Sequence, residues 1–185
     1  MVDISDRAMR QVQDLTKIAR LNEGLFELES VSVRSVCDDV TNELKHLFRF
    51  NHRNLVIDYN NRSKLVVANR ELLYSVVYNF CLNAMHYSDS ETLSELTLRD
   101  RGDKVRLDVR DYGPALPTDV WRSMKQGWIK QPTSIAMRPG SSGLGLYIAS
   151  KFSQYMNAEV GAVRHRDGTS FYVELPVSHQ LSLFE

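Results

Sequence analysis

Apolar positions recur along this 185-residue chain with two different periods, and the changes of period mark its elements. Between residues 5 and 23, Ala8, Val12, Leu15 and Ala19 fall at spacings of four, three and four, and Met9, Ile18 and Leu25 widen the stripe. Ser5 is a suitable N-cap and Gly24 a suitable stop, so this stretch is predicted to be a helix. Leu25 to Val33 reads as a short strand. Residues 34 to 49 predict an amphipathic helix with Val36, Cys37, Val40, Leu44 and Leu47 on one side. Leu55 to Tyr59 and Lys64 to Ala68 read as strands, with Asn60-Asn61-Arg62-Ser63 as the turn between them. Asn69 to Tyr87 predicts a long helix whose apolar side holds Leu72, Leu73, Val76, Val77, Phe80, Cys81 and Ala84.

The second half changes period again. Leu93 to Arg99 and Lys104 to Arg110 predict strands around the hairpin signal Asp100-Arg101-Gly102-Asp103. Val105, Leu107 and Val109 alternate with charged residues, as in a sheet with one wet face. A short helical piece is expected near Thr118 to Lys125. Leu144 to Met156 predicts a helix with Leu144, Ile148, Phe152 and Tyr155 aligned. Glu159 to Arg166 and Thr169 to Leu175 predict a last hairpin around Asp167-Gly168. Strands and helices mix without strict alternation. The expected class is α/β: a two-layer α/β sandwich, with one mixed sheet and helices on one face.

The length allows one domain with a helical appendage. The first helix has no evident apolar partner in the rest of the chain. It reads as half of a helical dimerisation element, with a helix packed back on its own domain as the alternative. Lys+Arg and Asp+Glu are both 23, so the formal net charge is zero. That argues against a nucleic-acid binder and makes any phosphate recognition local and geometric. Cys37 and Cys81 each lie in an apolar helical pattern, as expected of reduced, buried thiols in a cytosolic protein. No apolar run approaches the length of a membrane span, and no secretory signal opens the chain.

Chemistry concentrates between Asp111 and Gly145. Five of the nine glycines (Gly113, Gly127, Gly140, Gly143, Gly145) and four of the five prolines (Pro114, Pro117, Pro132, Pro139) fall there. A long Gly/Pro-rich loop from a strand end to a helix start is seldom only a connector. Helix N-terminal N–H groups suit phosphate, and a fixed carboxylate at a strand end can accept a hydrogen bond from a base. Asn79 and Asn83 sit four apart on one face of a heavily apolar helix, where unpartnered amides would cost about 1–3 kcal/mol each. Either both bond neighbouring backbone or they face a polar ligand, and an amide oxygen suits Mg²⁺. Gly113 after Asp111 lets a flat ligand approach the backbone. Gly140, Gly143 and Gly145 run G-x-x-G-x-G, the reverse of the dinucleotide spacing, and Leu146 and Tyr147 stand where a Walker loop needs Lys and Ser/Thr.

In this order, these segments resemble the nucleotide-binding boxes of the sensor histidine kinases. Asn79-Phe80-Cys81-Leu82-Asn83-Ala84-Met85-His86-Tyr87-Ser88 resembles the asparagine box. Asp111-Tyr112-Gly113-Pro114-Ala115-Leu116-Pro117 resembles the first glycine box. Gly140-Ser141-Ser142-Gly143-Leu144-Gly145-Leu146 resembles the second. Leu15 to Glu29 is similar to the second dimerisation helix and the linker after it, so the resemblance covers roughly residues 5 to 176.

The resemblance implies the Bergerat ATP-binding fold, shared with DNA gyrase, mismatch-repair ATPases and heat-shock chaperones. It implies ATP and Mg²⁺ as cofactors, with Asn83 as metal ligand and Asn79 beside it as the catalytic pair. Asp111 is expected to accept the adenine amino group, and Gly113 to leave room for the ring. Gly143, Leu144 and Gly145 are expected to cradle phosphates through backbone N–H groups. His86, Tyr87, Gly140 and Ser142 complete the expected nucleotide set. Residues 118 to 139 correspond to the mobile ATP lid, with Trp128 as its aromatic and Lys130 and Arg138 as phosphate contacts.

The implied organisation is residues 1–24 as the end of a dimerisation helix, 25–178 as the ATP-binding catalytic domain and 179–185 as a tail. The implied activity is transfer of the ATP γ-phosphate to a histidine on a dimerisation domain largely absent from this chain. The implied partners are a response regulator receiver domain and a second copy of the kinase, paired through the dimerisation helices. No direct membrane contact is expected, and the setting is the cytoplasmic portion of a membrane-anchored sensor.

The chain departs from the family pattern in four places. Ala115 replaces the second glycine of its box. His86 stands where a basic residue is common, and its charge varies with pH. Asn79 stands where hydrolytic relatives carry a glutamate base, which favours phosphotransfer over hydrolysis. No histidine has the context of a phosphoacceptor, neither His46, His52, His86, His165 nor His179. The fragment alone is therefore expected to bind nucleotide without phosphorylating itself. A nucleotide-sensing pseudokinase, a gyrase- or chaperone-type ATPase, and a structural protein are the alternative readings.

Overall fold

The computed structural model describes residues 2–59, 64–89, 91–118, 121–122 and 143–179, with side chains from residue 8 onward. Helix α1 (Val2–Arg20) runs into a 3-10 turn (Leu21–Glu23). Then follow β1 (Glu29–Val31), α2 (Val33–Phe50), β2 (Asn54–Tyr59), β3 (Val66–Ala68) and α3 (Arg70–Tyr87). The second half holds β4 (Leu93–Arg101), β5 (Lys104–Arg110), α4 (Leu144–Tyr155), β6 (Glu159–His165) and β7 (Gly168–Pro176).

The main sheet has five strands in the order β2-β4-β5-β7-β6. Only β2 and β4 are parallel; the other neighbours are antiparallel, so the sheet is mixed. Alternation along the strands builds the two layers. Leu96, Leu98, Val105, Leu107, Val109, Phe171, Val173 and Leu175 are buried on the helix side. Phe80 of α3 stacks on Phe171 of β7 with centroids 5.8 Å apart, a pairing worth about 0.5–1.5 kcal/mol beyond its burial. The opposite face carries Arg106, bonded to Asp108 and Glu174 and lying 3.6 Å from the Tyr172 ring centre. Such self-paired charge keeps that face compatible with water.

α3 is central. Asn69 caps its N-terminus by accepting from the Leu72 N–H at 3.1 Å, and burial extends all the way round it because sheet, α2 and α4 enclose it. Ser32 caps α2 in the same way.

Two expectations change. Leu55–Tyr59 and Lys64–Ala68 do not form a hairpin. β2 joins the main sheet beside β4, whereas β3 pairs antiparallel with β1 in a separate two-stranded sheet. Leu55, Ile57 and Tyr59 pack on the main core, while Val66 and Ala68 are sealed in with Val31. The predicted turn at 60–63 lies outside the described residues. The strand expected over Leu25 to Val33 shrinks to Glu29–Val31: Leu25 and Leu28 are exposed, and the Ser32 cap turns the chain into α2 at Val33.

α1 docks on the domain by its polar edge. Asp14, 1% exposed, accepts from Ser75 Oγ of α3 at 2.9 Å and from Lys17 Nζ at 3.2 Å. Lys17 also pairs with Glu71 at 2.9 Å. Arg10 pairs with Glu43 of α2 and lies 4.2 Å from the Tyr78 ring centre. Ile18 and Leu21 complete the contact. Met9 and Val12, at 62% and 60% exposure, and Leu15 remain outside, so the apolar stripe read from the sequence faces away from the domain. No helix among the described residues is long and apolar enough to cross a membrane.

Candidate functional site

The site assembles along α3. Asn79 is 6% exposed, and its Nδ2 donates to Ser75 O one turn earlier at 2.8 Å. Its Oδ1 lies against α4: a Cβ at Gly145 would stand 2.7 Å from it. Glycine at 145 therefore lets the second glycine box seat on the asparagine box. One turn on, the Nδ2 of Asn83 is buried without a hydrogen-bond partner among the described residues. That amide N–H is a donor open to water or a ligand. Its amide oxygen is the hard donor that Mg²⁺ takes when phosphates supply the rest of its shell. Among the described residues no cluster of three His, Cys, Asp or Glu could hold a metal, so the protein would contribute few ligands.

The other end of the site lies two turns along α3. A Cβ at Gly113 would stand 1.8 Å from Tyr87 O, so the first glycine box packs directly on the helix C-terminus. Eight residues separate Asn79 from Tyr87, about 12 Å of helix. Asp111 is 1% exposed; its Oδ1 accepts from the Thr169 N–H at 3.1 Å, and its own N–H donates to Thr169 O at 2.9 Å. Gly168 makes this close approach possible, with φ +139° and no room for a Cβ, which would meet Asp111 O at 2.1 Å. A cavity of about 120 Å³ opens here between Asp111 and Tyr87 and reaches Ala115, Leu116, Thr169 and Phe171.

α4 begins at Leu144, after Gly143 in the left-handed region (φ +65°). His86 is exposed and Tyr87 half-buried at the C-terminal end of α3. The structure so joins Asn79 to Gly145 and Tyr87 to Gly113, and gathers Tyr87 and Asp111 round one cavity. Trp128, Lys130, Arg138, Gly140 and Ser142 lie outside the described residues.

Thr169, Gly168 and Phe171 were not singled out from the sequence, which read Asp167-Gly168 only as a turn. The signal was present. Residues 169, 171, 173 and 175 share the helix-facing side of β7, and Thr169 is the one polar member of that series.

Over residues 68–179, more than half its length, the chain matches the family described as histidine kinase-, DNA gyrase B- and HSP90-like ATPase, and it belongs to that family. As a member it carries a nucleotide-binding domain of the Bergerat type. Among curated relatives, the probable sensor histidine kinase TcrY of Mycobacterium tuberculosis is 26% identical over 94% of this chain and 36% of its own length. The histidine protein kinase SaeS of Staphylococcus aureus is 24% identical over 99% of this chain and 52% of its own. The chain thus spans about half, or less, of these relatives.

Solved structures share the fold. The catalytic domain of histidine kinase ThkA superposes with a TM-score of 0.70 at 21% identity, covering 82% of this chain and 96% of that one. ThkA in complex with the response regulator protein TrrA gives 0.69 at 19%, covering 95% and 49%. Full-length ShkA in complex with AMPPNP gives 0.76 at 22%, covering 95% and 37%.

Proposed function

We propose that this chain is the catalytic, ATP-binding part of a two-component sensor histidine kinase. In this reading residues 25–178 are the catalytic domain, 1–24 the end of a dimerisation helix and 179–185 a tail. The observation that carries it is that the first turn of α4 and the Asp111 loop both seat on one helix, Gly145 against Asn79 and Gly113 against Tyr87.

ATP binds with its adenine in the Asp111 cavity, the carboxylate accepting from the base amino group while Thr169 holds that carboxylate in place. Gly113 lets the Asp111 loop pack on Tyr87 at the cavity's edge. The phosphates extend along α3 toward α4, where the N–H groups of Gly143, Leu144 and Gly145 receive them, with Gly140 and Ser142 of the same glycine box, Lys130 and Arg138 as further phosphate contacts and His86 and Tyr87 at the rim. Asn83, with Asn79 beside it, would hold Mg²⁺, which when bound neutralises phosphate charge. A histidine nitrogen on a dimerisation segment then attacks the γ-phosphorus. The N–P bond forms as the P–O bond to ADP breaks, and the ring proton leaves to water. The protein contributes position and charge rather than a covalent group.

The outward apolar stripe of α1 (Met9, Val12, Leu15) supports pairing with a second copy. The ThkA–TrrA complex supports a receiver domain as the phosphate's next acceptor. The proposed setting is the cytoplasmic portion of a membrane-anchored sensor, in keeping with relatives described as sensor histidine kinases.

The direct experiment supplies a separate dimerisation domain carrying the acceptor histidine, with γ-labelled ATP. Acid-labile phosphohistidine should form, and Asn83→Ala should slow it about 100-fold or more. Tight ATP binding with no label transferred would make the chain a nucleotide-sensing module instead.

A further inference from the structure

The main sheet treats its two edges differently. On β6, the Ala162 carbonyl accepts from the indole Nε1 of Trp121 at 3.3 Å, and the Arg164 side chain donates through Nε to Leu116 O at 2.7 Å, so Leu116 and Trp121 both contact that edge strand. On β2, pairing among the described residues is with β4 alone. An uncovered edge strand is a template for another chain, and proteins usually blunt one with proline, lysine or a bulge. The β2 sequence Asn54-Leu55-Val56-Ile57-Asp58-Tyr59 has no proline or lysine and is rich in strand-forming residues.

Beside this edge, a cleft of about 260 Å³ separates β2 from α2. Leu55 and Ile57 line it from the strand. Lys45 and Arg49, one turn apart on α2, and Arg53 just past its end supply three cations, and no carboxylate lines the cleft. Lys45 and Arg49 are exposed, and neither is ion-paired among the described residues. Arg53 donates to Ser88 O at 2.8 Å, which fixes its guanidinium at the cleft. In a chain of zero net charge this is a local excess.

We propose that the β2 edge and the α2 cleft form a docking site for an extended acidic segment of a partner protein. The segment adds to the sheet as a sixth strand. Its backbone pairs with β2, and its carboxylates, carried on alternate residues, face the cleft and meet Lys45, Arg49 and Arg53, with the residues between them on the opposite face of the sheet. Strand addition gives affinity through main-chain hydrogen bonds and selectivity through alternate side chains. The charge on α2 selects an acidic segment over a basic one.

The test uses the full 185-residue chain and a labelled six-residue peptide alternating valine and glutamate, read by fluorescence anisotropy. The peptide should bind saturably, and hydrogen exchange should slow at the amides of residues 54–59. A lysine-for-glutamate peptide, and a glutamate peptide with alternate amides N-methylated, should both fail. The variant Lys45→Glu/Arg49→Glu should keep its melting temperature and lose at least about tenfold in peptide affinity. Equal binding of the acidic and basic peptides overturns the proposal. So does unchanged affinity in the double variant, or protection on β6 in place of β2. Protection of β2 that rises with protein concentration in the absence of peptide would assign the edge to a second copy and also overturn it. Binding of anionic vesicles through Lys45 and Arg49, with no peptide binding, would do the same.

Discussion

Gly113, Gly145 and Gly168 each stand where a methyl group would meet a neighbour closer than side chains tolerate, and each neighbour belongs to another part of the site. Gly113 faces the Tyr87 carbonyl, Gly168 the Asp111 carbonyl and Gly145 the Asn79 amide. The first two neighbours are backbone and cannot rotate away. Gly113→Ala must therefore push the Asp111 loop off α3. Overpacking of this kind costs about 1–3 kcal/mol, so the expected outcome is a lower melting temperature together with weaker nucleotide binding. A Gly113→Ala variant with wild-type stability and affinity would contradict the close packing. At this scale the sequence was legible where residue identity is restrictive: two amides on an apolar helix, a glycine after a strand-end aspartate. It was less legible where the meaning lies in a partner. Thr169 stands out locally as the polar residue on the helix-facing side of β7, but its role comes from backbone pairing with Asp111 at the end of the neighbouring strand.

The helices are legible by period, the small strands less so. α2 and α4 follow their stripes because each buries one against the sheet or a neighbouring helix, and the stripe of α3 widens to nearly its whole circumference because it is enclosed. β1 and β3, three residues each, are chosen by tertiary pairing and not by any pattern of their own. α1 shows the limit of reading a stripe. Met9, Val12 and Leu15 point outward, and polar residues together with Ile18 hold the helix down. Asp14→Ala removes the acceptor of Ser75 Oγ and the partner of Lys17, leaving a buried hydroxyl unmatched at a cost of about 1–3 kcal/mol. Limited proteolysis should then cut the α1 segment faster while α3 stays protected; an unchanged digestion pattern would contradict the polar docking.

The interface of α2 and α3 gives a second element-scale prediction. Cys37 and Cys81 are both buried free thiols, and burial pushes Cys81 from its ordinary 9.0 up to about 12. The folded state favours the neutral thiol, so this contribution to stability is complete below about 9 and is lost as pH rises through about 12. Near pH ~8 a thiol reagent should label neither cysteine in the native protein and both in denaturant. Rapid native labelling would contradict the burial.

At the scale of the molecule, one mixed sheet carries a helical layer, and the proposed nucleotide site lies along the central helix of that layer. The class of fold was readable from the order of elements. The separate β1–β3 sheet was not, because adjacent strands in sequence went to different partners. The account's central claim is that α3, the Asp111 loop and the start of α4 form one pocket for Mg-ATP. Calorimetric titration of ATP and GTP, with and without Mg²⁺, into the unmodified chain and Asp111→Ala tests it most directly. The expected result is Mg²⁺-dependent binding that favours ATP in the unmodified chain, with the preference lost in the variant at a cost of about 1–3 kcal/mol. Equal affinity of the unmodified chain for ATP and GTP, or no binding of either, would contradict it.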